Sequence, residues 1–143
     1  MLAELISDRI ECDRYRIDPS RPYPDAYDAT VERNVEEERA DVRPAIADPL
    51  PDVDAYDIVL LGSPVWNEQA PMIMFTFIEG IDLSGKMILP FVTYAVSGIG
   101  RVEDDYRAAL VNSDVRPGLA VLGETVADAG AYVERWLRAN RLT

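Results

Sequence analysis

Two features predict an α/β fold whose parallel sheet is covered on both faces. Strand-like and helix-like stretches alternate along the chain, which is the order that parallel sheets require. The best strand candidates, Asp57–Leu61 (DIVLL) and Lys86–Thr93 (KMILPFVT), are continuous apolar runs, as in strands buried on both sides. The 143 residues suit one domain, 1–143, of ordinary size.

The elements follow in order. Met1–Asp8 reads as a helix already in progress, with Leu2, Leu5 and Ile6 on one face and no capping residue ahead of it. Ile10–Ile17 (IECDRYRI) alternates well enough for a half-buried or edge strand, with one irregularity. Pro19, Pro22 and Pro24 then interrupt the chain. Asp25 can cap a helix over 26–40, whose narrow apolar stripe is Tyr27, Val31 and Val35. A loop at 48–52 precedes the strand Asp57–Leu61. Pro71 fits the first turn of an apolar, well-buried helix carrying Met72, Phe75 and Ile78. Ser84-Gly85 turns into the strand 86–93. A helix over 102–111, a short strand 119–122 and a helix over 125–140 complete the chain. Val126, Ala129, Val133, Trp136 and Leu137 share one face of the last helix.

Composition narrows the chemistry. There is no histidine, which removes Ser-His-Asp and Cys-His catalysis and the usual zinc sites. Ser97 is therefore not a hydrolase nucleophile, and Gly-x-Ser-x-Gly is absent. The single cysteine, Cys12, allows no internal disulfide and is expected to be a buried bystander. Redox or acid–base work at neutral pH would then fall to a cofactor. Twenty-six acids against fourteen bases, thirteen of them Arg, give a net charge of −12. That charge repels nucleic acid and can steer a basic protein partner. No apolar run approaches the roughly 20 residues of a membrane span. The opening MLAELISDRIECDRY carries acids among its apolar residues and does not read as a signal peptide, so a cytoplasmic location is expected.

In parallel sheets ligands sit at the carboxyl ends of strands, so loops 62–71 and 93–101 are the ones to watch. In the first, GSPVWNEQAP, a buried strand delivers Trp66 between stiffening prolines. A rigid aromatic there either stacks on a planar ring or covers the next helix. In the second, Thr93–Gly100 (TYAVSGIG) is free of charge in a charged chain. Gly98 and Gly100 let backbone amides approach a ligand closely, and the following helix start favours electron-rich atoms; the plainer alternative is a simple helix start.

Taken together, DAYDIVLLGSPVWNEQAPMIMFTFIEGIDLSGKMILPFVTYAVSGIG resembles the middle of the flavodoxin-like family, in particular the short bacterial flavodoxins. The shared marks are Gly-x-Pro-x-Trp at a strand end, Ala-Pro opening a helix, Ser-Gly-Lys entering a strand, and Thr-x-x-x-Ser-Gly-x-Gly closing it. The tail RPGLAVLGE…YVERWLRAN is similar as well. The resemblance implies a doubly wound parallel sheet of order 2-1-3-4-5 and a bound FMN. Its ring would lie between Pro64, Val65, Trp66 and Asn67 on one side and Thr93, Tyr94, Ala95, Ser97, Gly98 and Gly100 on the other. It implies single-electron transfer or FMN-dependent reduction of small acceptors such as quinones, with a redox partner protein or a small molecule as partner. Asn67 and Glu68 stand where relatives often carry a second Trp, and a carboxylate near the ring disfavours an anionic reduced flavin.

The family begins with a strand and a Ser/Thr-rich phosphate loop, and neither is found in this sequence. Three expectations follow: the chain is a piece of a longer one, the strand comes from a second copy by exchange to give a homodimer, or the sheet is rearranged. Lacking the loop's donors, the chain would hold FMN weakly. The rival reading is a cofactor-free domain with an interaction or regulatory role.

Overall fold

The computed structural model describes residues 2–143; Met1, the first residue of the predicted opening helix, lies outside them. Helix α1 spans Leu2–Ser7 and α2 spans Tyr27–Arg39. Strand β1 (Ile58–Pro64) leads through α3 (Met72–Gly80) to β2 (Met87–Tyr94). Helix α4 (Val102–Ala109) then leads to two short strands, β3 (Asp114–Val115) and β4 (Leu119–Leu122). A 3₁₀ turn over Gly123–Asp128 precedes α5 (Gly130–Ala139).

All pairings are parallel. β1 pairs with β2 from Ile58↔Met87 to Pro64↔Thr93. The other edge of β2 pairs first with β3 at Met87↔Asp114 and Ile88↔Val115, and then with β4 from Phe91↔Leu119 to Tyr94↔Leu122. The sheet thus advances in one direction from β1, and α3 and α4 lie on the same face.

Strand alternation divides the core into two layers. Leu89 of β2, with Leu119 and Val121 of β4, packs against Leu2 and Ile6 of α1 and Val133, Trp136 and Leu137 of α5. Leu61 of β1, with Ile88 and Val92 of β2, packs against Met74, Phe77 and Ile78 of α3 and Val102 and Tyr106 of α4. β1 and β2 feed both layers because successive side chains leave opposite faces. This is the doubly covered parallel sheet that the apolar runs predict.

Several expectations need correction. Ile10–Ile17 forms no strand. A strand exists through a neighbour's N–H and C=O groups, and among the described residues this segment has no ladder partner. Part of its alternation reports burial: Tyr15 stacks on Phe77 with ring centroids 5.7 Å apart, Ile17 packs on the same layer, and Ile10 packs on the other. The segment ends at an isolated antiparallel bridge, Pro19↔Ile46. Cys12, on this unpaired segment, is exposed instead of buried. Asp25 does not cap α2: Ala26 is the N-cap residue and no side chain caps the helix. Instead the Thr30 hydroxyl donates to the carbonyls of Pro24 and Ala26, at 2.7 and 3.1 Å.

The largest correction concerns the face of α2. Tyr27 and Val31, two members of the apolar stripe, are 81% and 42% exposed. The buried residues of this helix are Asn34 and Glu37, 5% and 7% exposed. The weak stripe suits a helix at the surface, with Val35 half-buried, and a polar network occupies the inner face. β1 runs to Pro64, three residues beyond the apolar run, because Gly62 and Ser63 keep the register with Phe91 and Val92.

Candidate functional site

The strand register builds the site. Pro64 and Thr93 are paired neighbours, so the segments after them leave the sheet side by side at its carboxyl edge. The Val65 N–H donates to the Thr93 carbonyl at 2.9 Å, extending the ladder one residue into the loop. Beyond it the chain reverses. Trp66 and Gln69 form an isolated bridge, with N–H to carbonyl distances of 2.8 and 3.2 Å. Asn67 and Glu68 between them have φ of 52° and 66°. Two successive left-handed residues make a type I′-like reversal, a conformation in which Asn is at ease and Glu is not.

The second segment is a shelf. Ala95 and Ser97 are exposed, and Val96 is 91% exposed. Among the described residues, none of the backbone N–H groups of Ala95, Val96, Ser97 and Gly98 donates to another residue. Gly98 has φ of 65°, and the space where a Cβ would sit is empty. Gly100, φ 57°, plays a different part. A Cβ there would lie 2.2 Å from the Glu68 carbonyl oxygen, so only glycine lets the two segments touch. The Arg101 N–H donates to that same oxygen at 2.7 Å, and the Arg101 guanidinium donates to the Gln69 side-chain carbonyl. The two segments are therefore latched at Glu68, Gln69, Gly100 and Arg101. Sequence reasoning names neither Gln69 nor Arg101, and no sequence signal marks them.

The indole of Trp66 is half-buried and meets the Tyr23 ring edge-on, with centroids 5.1 Å apart and planes at 75°. Tyr23 lies in the proline-rich connection before α2, a place where sequence periodicity carries no information. The Asn67 amide donates to both carboxylate oxygens of Glu38, at 3.2 and 3.3 Å. Burial pushes the Glu38 carboxyl up, while the hydrogen bonds from Asn67 and Asn34 and the charge of Arg101 oppose that rise. Thr93 and Tyr94, the last residues of β2, pair with Val121 and Leu122 of β4.

The start of α4 does not offer the free positive end expected of it. Glu103, Asp104 and Asp105 fill its first turn, so three carboxyl groups already complement the helix dipole. One groove, of about 450 Å³, runs beside α2 and is lined by Arg21, Pro24, Glu32, Glu36 and Val42 among others. No residue of the two strand-end segments lines it. The strand-end site is an open shelf and not an enclosed cavity.

A doubly covered parallel sheet places the chain among the doubly wound α/β proteins, a class whose ligand sites lie at the carboxyl ends of the strands. The family model for flavodoxin matches residues 1–139, and the chain belongs to the flavodoxin family. Among solved structures it is similar to a candidate flavoprotein from Bacteroides eggerthii DSM 20697. The TM-score is 0.84 at 29% identity, over 96% of this chain and 87% of that one. A candidate flavoprotein from Bacteroides uniformis ATCC 8492 gives 0.84 and 27%, over 96% and 88%. A flavoprotein in complex with FMN from Lactobacillus acidophilus NCFM shares the fold, with a TM-score of 0.70 at 20% identity, over 89% and 87%. No curated protein matches the sequence.

The residues present fit the ring end of a flavin. Four unpartnered amides on an uncharged shelf can meet the polar edge of a planar heterocycle, and an aromatic stands on the facing turn. For the phosphate end, no Thr-Gly-Asn-Thr-like donor segment is present, and the helix start nearest the shelf carries acids.

Proposed function

We propose that the chain binds the flavin ring of FMN on the shelf Thr93–Gly100. Thr93, Tyr94, Ala95, Ser97, Gly98 and Gly100 would supply backbone contacts, and Pro64, Val65, Trp66 and Asn67 the facing wall. When bound, FMN supplies one- or two-electron redox chemistry. The protein's own work is to bind the ring, orient it and set its electrostatic surroundings. The electrons would pass to a redox partner protein or to a small acceptor such as a quinone. One observation carries this reading: the uncharged loop of a chain with net charge −12 lies open at the strand ends with its amides free. Membership of the flavodoxin family supports it.

The test is titration of the 143-residue chain with FMN and, separately, with riboflavin. Binding is expected to quench flavin fluorescence and to move the flavin absorption bands. Riboflavin should bind within a few-fold of FMN, or better, because the proposed shelf supplies contacts to the ring and no donor segment for the phosphate. No spectral change with either flavin would leave the cofactor-free reading. For assembly, β1 has β2 as its one ladder partner among the described residues, which supports strand exchange between two copies. Light scattering that gives a monomer at all concentrations would exclude that arrangement.

A further inference from the structure

The inner face of α2 poses a physical question: why does a helix with available apolar residues bury Asn34 and Glu37 instead? Removing such groups from water is costly unless each is well partnered. Here the partners form a chain that ends on the candidate site, and only the Asn34 side-chain oxygen, of these two residues' polar atoms, is buried without a partner among the described residues. Glu37 accepts from the Tyr23 hydroxyl at 2.6 Å and sits 3.6 Å from Arg33 Nε. The Arg33 guanidinium lies over the Tyr23 ring, 3.9 Å from its centroid, and donates to the carbonyls of Pro22 and Arg21. Tyr23 is thus held on its face and at its hydroxyl, the backbone just before it is held at Arg21 and Pro22, and its ring meets Trp66. One turn further along α2, the Asn34 amide donates to Glu38 at 3.0 Å, and Glu38 holds the amide of Asn67.

We infer that this polar face is a brace for the Trp66 turn, with Tyr23 and Glu38 as positioning residues for the ring site. The inference rests on the flavin reading above. Two adjacent residues of the turn are held separately: Asn67 directly by Glu38 of α2, and Trp66 through Tyr23, which Glu37 and Arg33 of α2 hold in turn. The turn itself is in a conformation that Glu68 does not favour, so an outside hold is needed. Apolar packing would bury the helix equally well but would leave the indole free to slide, whereas directional bonds fix one orientation.

The test uses the 143-residue chain and its nitrogen–proton NMR spectrum. The chain has two tryptophans, and Trp66→Phe assigns the Trp66 indole signal. Glu38→Ala and Tyr23→Leu are expected to shift the Trp66 indole signal, and Glu38→Ala also the Asn67 side-chain amide. The conservative changes Glu38→Gln and Tyr23→Phe, which keep an acceptor and a ring, should return these signals close to their original positions. Circular dichroism checks that each variant is folded. In parallel, FMN affinity should fall about tenfold in the two disruptive variants, about 1.4 kcal/mol, and recover in the conservative ones. Unmoved signals in folded Glu38→Ala and Tyr23→Leu would overturn the brace. Moved signals with unchanged FMN affinity would overturn its role in the site. Moved signals with no FMN binding by any protein, the unsubstituted chain included, would sink the flavin reading and leave the brace standing.

Discussion

Gly100 shows how much one missing Cβ can decide. The Glu68 carbonyl occupies the space a side chain would need, and the backbone sits at φ 57°. Gly100→Ala is therefore expected to cost about 1–3 kcal/mol, from left-handed strain and the clash together, read as a drop in the urea midpoint. Flavin affinity should fall with it, since the clash separates the two segments. Tyr23 offers a second test. Burial, its bond to Glu37 and that carboxylate's charge raise its pKa above the ordinary 10.0. A group whose folded pKa is raised stabilises the fold fully below its unfolded pKa and loses that contribution as pH rises through the folded one. Stability should thus decline above pH 10. The alkaline tyrosinate titration of the seven tyrosines should show Tyr23 and the fully buried Tyr106 ionising late, together with unfolding. Tyr23→Phe should remove one residue from that late phase. The sequence marks Trp66, Ser97 and the glycines by their place at strand ends. It does not mark Tyr23, Glu38 or Arg101, because each acts across a gap in sequence that no local pattern spans.

At the scale of elements, α5 and α2 make opposite cases. In α5 the apolar face predicted from spacing is the buried face: Val133, Trp136 and Leu137 pack on β2 and β4. Leu137→Ala should cost about 2–5 kcal/mol in denaturant unfolding, since the residue is fully enclosed. In α2 Tyr27 and Val31 of the apolar stripe point outward, and Val35 is half-buried. Val31→Ser is expected to change stability by no more than about 0.5 kcal/mol. Glu37→Ala should cost about 3–5 kcal/mol, because it strands Arg33, whose side chain is largely enclosed, and orphans the Tyr23 hydroxyl. A reversed order of these two effects would return the stripe to the core and dismiss the brace. The segment 10–17 makes a third case: Ile10, Tyr15 and Ile17 touch the core while Cys12 does not, and whether the segment pairs depends on a neighbour.

For the whole molecule, charge is the strongest lever. A net charge of −12 on 143 residues works against compaction, and salt screens it. The melting temperature should rise as sodium chloride increases from about 0.05 to 1 M, where the Debye length falls to roughly 3 Å. A flat or falling response would show that local ion pairs such as Arg43–Glu79, at 2.9 Å, outweigh the general repulsion. Among the described residues no helix is long and apolar enough to cross a membrane.

The sequence by itself determined the parallel sheet, its two covered faces, the order of the strands Asp57–Leu61, Lys86–Thr93 and Leu119–Leu122, and the two loops at their carboxyl ends. These follow from apolar runs and helical spacing, which are local and survive in one dimension. Only the tertiary structure decided which face of α2 is buried, that 10–17 pairs with nothing among the described residues, and that Glu68 and Gly100 touch. Those outcomes depend on which groups meet across space, where a carboxylate can outbid a valine for the interior once an arginine and a phenol are there to receive it.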